Sequence, residues 1–370
     1  MKSNTVNIKK QKTIMYFLYV LVFLILFLIG TFKDLQIDIK IFNYENGFGV
    51  FMERFGAFPQ YITQLLGFSV LIAAYHKPND AFDIAQSFLP FINRLRNIKI
   101  FNYILYIGHF AVYLAFIWGA FCGSDLFLNF ILGEFKGCNI QDLLVIKGVP
   151  KFIAVVVWSV VRIALVALCV YLFTKVKKEK LKTLEFMAIA GLILFYSTDI
   201  IPVIKAHFHR VRFREMIAYS YSIVNENGQT SIGNTVLQKE WAQNAIYYAY
   251  TPWYKIGEVY NVYSNSTSFP SGHTASACFA MLLPMLVTKG KKADKLFIPA
   301  FLIGFAYTLG VGISRLIRGA HFMSDIAAAA LIMFIILLVI MGVMNYLERY
   351  SENKIKRIKR RSIKAEVSDD

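Results

Sequence analysis

Ser314-Arg315-Leu316-Ile317-Arg318-Gly319-Ala320-His321-Phe322-Met323-Ser324-Asp325 stands between two apolar runs, 296–313 and 325–346. Each run approaches or exceeds the ~20 residues that a helix needs to cross a bilayer. The stretch between them is then a short turn at a membrane face, and packing alone does not explain its two arginines, histidine and aspartate. With a helix starting near His321, His321 and Asp325 lie one turn apart on one face. A carboxylate bonded to one ring nitrogen fixes the tautomer and makes the other nitrogen a better base or nucleophile. Arg315 and Arg318 offer planar forks that match phosphate oxygens. The plainer alternatives are a helix-start aspartate beside an incidental histidine, and arginines that snorkel to lipid phosphate.

The rest of the chain repeats the apolar pattern. It has 370 residues, 57% of them hydrophobic, with a mean hydropathy of +0.51. Eight apolar runs are visible, near 14–32, 59–75, 102–122, 152–174, 184–204, 275–289, 296–313 and 325–346. The expected fold is an all-α integral membrane protein of about eight transmembrane helices. The net charge of +17 does not point to nucleic acid, because of where it lies. With the N-terminus inside, the inner segments hold 25 lysines and arginines and the outer ones 14. This is the positive-inside pattern and places both termini in the cytoplasm. The basic tail from Arg349 to Lys364 then reads as an anchor on anionic lipid. The first apolar stretch has no small-residue cleavage site after it, so an uncleaved span is expected there. Cys122 and Cys138 fall near the outer face, where a disulfide is one option.

In this topology two further polar clusters share the outer face with the first. Pro270-Ser271-Gly272-His273 opens the sixth run. Proline near a first helical position, followed by Ser and Gly, leaves backbone N–H groups at a positive helix end. His273 there is placed to protonate a leaving oxygen; the alternative is a plain helix cap with an interfacial histidine. The other cluster is Lys205-Ala206-His207-Phe208-His209-Arg210-Val211-Arg212-Phe213-Arg214. Lys205 and Arg212 are seven apart, close to two helical turns, and share a face. Arg210 and Arg214 read as contacts to lipid or loop. Outer segment 33–58 reads as an amphipathic surface stretch. Segment 205–274 carries many aromatics, among them Tyr219, Trp241, Tyr250, Trp253 and Tyr254, plus an Asn-Gly turn near 227–228. These suit an interfacial belt or a lid over an amphiphilic substrate.

The three clusters resemble the signature of the type 2 phosphatidic acid phosphatase superfamily, K-x6-R-P, P-S-G-H and S-R-x5-H-x3-D. Lys205 and Arg212 fit the first part, with Phe213 where proline is usual. Pro270 to His273 fit the second. Ser314, Arg315, His321 and Asp325 fit the third. The resemblance covers about 184–346 and implies a six-helix phosphatase-type core. It further implies that His321 attacks phosphorus and forms a phosphohistidine, that Asp325 orients it, and that His273 protonates the leaving group. Lys205, Arg212, Ser271, Gly272 and Arg315 would hold the phosphate oxygens, with no metal and no cofactor.

The expected organisation is a two-span N-terminal addition (1–100), a six-helix core (101–346) and a basic cytoplasmic tail (347–370). The expected activity is hydrolysis of a lipid phosphate or diphosphate monoester at the outer face of the cell membrane. Its partners are the lipid substrate and membrane lipids, with no nucleic acid. Two alternatives stand beside it. A phosphotransferase would pass the same phosphoryl group to a lipid or sugar, and a non-catalytic membrane protein or transporter would bind head groups without turnover.

Overall fold

A computed structural model describes residues 2–76, 99–136, 145–217, 250–255, 267–287 and 293–368. Cys138, the Asn-Gly turn and most aromatics of the long outer segment lie outside them. The described chain is helical: α1 (Lys2–Ile41), α2 (Gly47–Phe55), α3 (Phe58–Tyr75), α4 (Lys99–Lys136), α5 (Lys151–Thr174), α6 (Lys178–Ser197), α7 (Ile200–Phe208), α8 (Gly272–Ala277), α9 (Leu282–Val287), α10 (Ala293–Ile317) and α11 (Met323–Ser368). Among the described residues seven helical segments are long and apolar enough to cross a membrane. The protein is an all-α, multi-pass integral membrane protein.

The sixth expected span is shorter than a bilayer needs, an apolar helix over Gly272–Val287. It is also uneven, because Cys278–Met281 tightens into a 3-10 turn between α8 and α9. Pro284 explains the break: it has no N–H to donate to the carbonyl of Ala280.

The chain forms two compact units. One comprises Met1–Gln60 and Leu194–Ile336, the other Tyr61–Ile193 and Leu337–Asp370. This grouping cuts across the boundary expected at residue 100. The reason lies in side chains that α1 and α2 send to the polar clusters, described below. Segment 33–58 is likewise not a surface stretch. Helix α1 runs unbroken through it to Ile41, and Asp34 and Asp38 on its last turns are buried.

In the first unit, an aromatic seam joins α1 to α10 and the start of α11. Tyr19 stacks on Phe334 with centroids 4.0 Å apart. Tyr16 meets Phe297 and Phe334 edge-on, and Phe23 meets Phe305. Phe297, Phe301 and Phe305 recur every fourth residue, so a single face of α10 supplies them. The opposite side of α1 exposes Phe17, Leu24, Leu28 and Phe32, an apolar stripe of the kind that lipid covers. In the second unit, Gly119 of α4 lies against the Phe68 ring and Gly123 against the backbone of Leu65. Small residues permit this close approach of α4 to α3. Helices α4 and α5 are joined by Trp158 Nε1, which donates to Asp125 at 2.8 Å, and by Arg162, stacked 3.5 Å over the Phe121 ring.

A second core in the first unit lies directly beneath the polar clusters. Leu35, Phe42, Val211, Phe213, Met216, Ile217 and Phe322 form it. Phe213, where the resemblance leads one to expect proline, is fully buried here and packs edge-on against Phe42 at 5.4 Å. Gly319 closes over the two rings with φ +59°. A Cβ at that position would lie 2.8 Å from Phe42 Cδ2 and 3.1 Å from Phe213 Cδ1. Gly319→Ala combines left-handed strain with a clash between fixed rings, so it is expected to destabilise by about 2–4 kcal/mol. Thermal unfolding in detergent reads this as a clear drop in midpoint.

Candidate functional site

His321 lies in the turn between α10 and α11 and is almost completely buried. Its Nδ1 is 2.7 Å from the carbonyl oxygen of Ser268. A carbonyl only accepts, so Nδ1 carries the proton and Nε2 is left with its lone pair. Asp325 lies one turn along, but its nearer oxygen is 3.7 Å from Nδ1, beyond hydrogen-bond length. The direct His321–Asp325 bond expected from the spacing is therefore not formed. The oxygens of Asp325 are already engaged by Arg210 Nη1 at 2.5 Å, the Ser268 hydroxyl at 2.5 Å and the Phe322 N–H at 2.9 Å. Asp325 reaches the imidazole through Ser268, whose hydroxyl it holds while the Ser268 carbonyl holds the ring.

Arg210 is the residue that sequence reasoning misplaced. It does not face lipid but is buried. His209 ends α7 in a left-handed conformation, φ 47°, which turns the chain so that Arg210 points inward. Besides Asp325, its guanidinium donates to Ser324 Oγ at 2.9 Å, to Asp34 of α1 at 2.9 Å and to the Thr251 carbonyl at 3.1 Å. It also stacks 4.0 Å from the Phe322 ring. Asp34 further accepts the Ser324 N–H at 3.0 Å and the Ser324 hydroxyl. The Arg210 carbonyl accepts the Ser268 N–H at 2.7 Å.

The other expected residues gather around this centre. Lys205, on α7, donates to the Thr267 carbonyl at 2.8 Å. A Cβ built on Gly272 would lie 4.0 Å from Lys205 Nζ, so the first and second clusters adjoin. Ser271 is buried. Its N–H donates to the Asp325 carbonyl at 3.0 Å, and its hydroxyl accepts from Thr274 N at 3.3 Å, which ties the second cluster to the third. Arg212 pairs with Glu215 at 3.2 Å.

Four more contacts come from α2. Glu53 is 2.9 Å from Arg315 Nη1, 3.0 Å from Arg214 Nη1 and 2.7 Å from Arg318 Nε. The Glu53 carbonyl lies 3.1 Å from His273 Nε2. Arg214 and Arg318, read as membrane-edge cations, thus converge on one carboxylate. Tyr44 adds its ring 3.8 Å from the Arg318 guanidinium.

The turn between the two apolar helices is dry enough to change the His321 proton balance. Burial holds its pKa well below the ordinary histidine value. The Lys205 and Arg315 charges push the same way, while Asp325 opposes them. The imidazole is therefore neutral, with its lone pair on Nε2.

Residues 221–349 match the family model of the PAP2 superfamily. Over that stretch, about a third of its length, the chain is similar to the superfamily. The matched stretch contains the second and third clusters and begins after Lys205 and Arg212. No curated protein and no solved structure matches the chain. Members of that superfamily are phosphatases and phosphotransferases of phosphorylated lipids, and the match suggests an enzyme of this class.

The His321 environment predicts a pH dependence with a definite sign. The unfolded chain takes up a proton near pH 6.5, and the folded site refuses it to much lower pH. Stability assigned to this group is therefore complete above pH ~6.5 and declines by up to about 1.4 kcal/mol per unit as pH falls below it. Unfolding midpoints from pH 8 to 5 should fall more steeply for wild type than for His321→Ala. Parallel curves would show that the imidazole is not held neutral.

Proposed function

We propose that the protein is a membrane phosphatase that hydrolyses a lipid phosphate or diphosphate monoester through a phosphohistidine at His321. The observation that carries this reading is the tautomer of His321. Its Nδ1 is committed to the Ser268 carbonyl, so Nε2 offers a lone pair beside the Lys205 and Arg315 charges. Nε2 forms the bond to phosphorus as the bond to the leaving oxygen breaks. His273, its Nε2–H held by the Glu53 carbonyl, acts as the imidazolium and supplies from Nδ1 the proton that this oxygen takes up. Water then attacks the phosphohistidine and loses a proton to His273, releasing inorganic phosphate and restoring the neutral imidazole. Lys205, Arg212, Arg315, the Ser271 hydroxyl and the Gly272 N–H hold the equatorial oxygens. Donors fixed before reaction can supply most of what phosphoryl transfer needs. The scheme uses no metal ion.

The charge distribution supports placing both termini in the cytoplasm and the site at the outer face of the cell membrane. An active site held between apolar helices suits a substrate that arrives from within the bilayer, and the long aromatic outer segment suits an amphiphilic head group.

The test is phosphate release by the purified full-length chain in detergent, with EDTA present, over a panel of lipid phosphates and diphosphates. Release is expected to be metal-independent and to fall at least about a thousandfold in His321→Ala, while that variant elutes as wild type on size exclusion. Undiminished release in the variant would overturn the mechanism. Label that moves to an added lipid or sugar without free phosphate would assign the enzyme as a phosphotransferase, which shares the same intermediate.

A further inference from the structure

Two arginines of the proposed phosphate site are each paired with a carboxylate. Arg212 Nη1 is tied to Glu215 at 3.2 Å, and Arg315 Nη1 is tied to Glu53 at 2.9 Å. In both, the Nε is buried and has no hydrogen-bond partner among the described residues, and Arg315 Nη1, though close to its carboxylate, makes no aligned hydrogen bond either. A buried guanidinium N–H left without an acceptor is costly, and a bound phosphate oxygen is an acceptor of the right charge. Arg212 therefore spends one donor on its carboxylate and keeps Nε unspent, whereas Arg315 is held by charge and keeps both Nε and Nη1 unspent.

The Arg315 tether is the more elaborate. Glu53 collects Arg214 and Arg318 as well, so three guanidinium groups that would repel one another share one carboxylate. Its main chain does a second task. The Glu53 carbonyl accepts from His273 Nε2 at 3.1 Å, which sets the tautomer and ring plane of the proposed acid. Helix α2 is itself fixed on the side facing α10. Asn43 N–H donates to the Ile317 carbonyl at 2.8 Å, Asn46 caps the helix through Gly49 N–H at 2.9 Å, and Tyr307 donates to the carbonyls of Phe55 and Gly56.

We infer that Glu53 is a positioning residue of the phosphate site, which aligns Arg315 for the transition state with its carboxylate and His273 with its carbonyl. This rests on the phosphatase reading above. It gives the N-terminal part of the chain, which lies outside the matched family region, a direct part in the chemistry.

Glu53→Gln keeps the carbonyl and the size of the side chain but removes the charge that gathers the arginines. The site becomes more cationic but less ordered. In ground-state binding the added positive charge offsets the lost alignment, so it should change little. Transition-state binding, which follows alignment, should weaken. The experiment measures substrate KM and the Ki of inorganic vanadate, a mimic of the five-coordinate phosphorus, for wild type, Glu53→Gln and Glu53→Asp. In Glu53→Gln the vanadate Ki is expected to rise at least ~10-fold with KM within ~3-fold of wild type, and Glu53→Asp to recover part of the loss. Neither constant depends on the fraction of folded molecules, so a general structural defect does not imitate this result. An unchanged Ki would overturn the inference. A lower Ki would also overturn it, by showing that Glu53 occupies the site as a resident anion. In either case an active, vanadate-inhibited wild type would leave the phosphatase reading standing, whereas an inactive wild type that is blind to vanadate would remove that reading itself.

Discussion

One buried guanidinium holds this site together. Arg210 lies between Asp34 of α1 and Asp325 of α11, two carboxylates that are themselves fully buried. Removing one member of such a group leaves uncompensated charge in the interior, a loss of about 3–5 kcal/mol. The arrangement also transmits geometry. The Arg210 carbonyl fixes Ser268 N–H, Asp325 fixes the Ser268 hydroxyl, and the Ser268 carbonyl fixes His321 Nδ1. The imidazole of His321, the proposed nucleophile, is thus positioned by a chain of contacts that begins in the first helix. No link in it depends on a long flexible side chain exposed to water.

Much of this was visible in the amino-acid order, and the visible part has a common physical origin. The apolar runs are local patterns, so the helices could be read from hydropathy, including the short one that Pro284 breaks. The Ser314–Asp325 stretch is also local: a fixed spacing across one turn and the start of a helix places His321 and Asp325 together. Lys205, Ser271 and Gly272 followed from clusters that the topology assigned to one face.

What escaped reading depends on long-range contacts or on one backbone angle. Arg210 and Arg212 stand in the same basic run, and composition does not distinguish them. The left-handed conformation of His209 does, and nothing in the residue type at 209 required it. Asp34 lies 176 residues before Arg210 and Glu53 lies 161 before Arg214, both in a segment taken for a surface stretch. A signal was available there. Asp34 and Asp38 sit one turn apart near the end of an apolar helix, where ionisable residues are expensive and usually face a partner inside the bundle. The Ser268 carbonyl, which displaces Asp325 from the His321 ring, is a main-chain group and leaves no trace in side-chain patterns.

The account as a whole turns on whether His321 becomes covalently bonded to phosphorus. The most direct measurement is to quench the purified protein in alkali during turnover of a substrate labelled with 32P, digest it, and locate the label. An acid-labile, base-stable phosphate on the peptide that contains His321, absent when His321 is replaced by alanine, is the predicted result. Turnover with no protein-bound label, or label on a different residue, would contradict it.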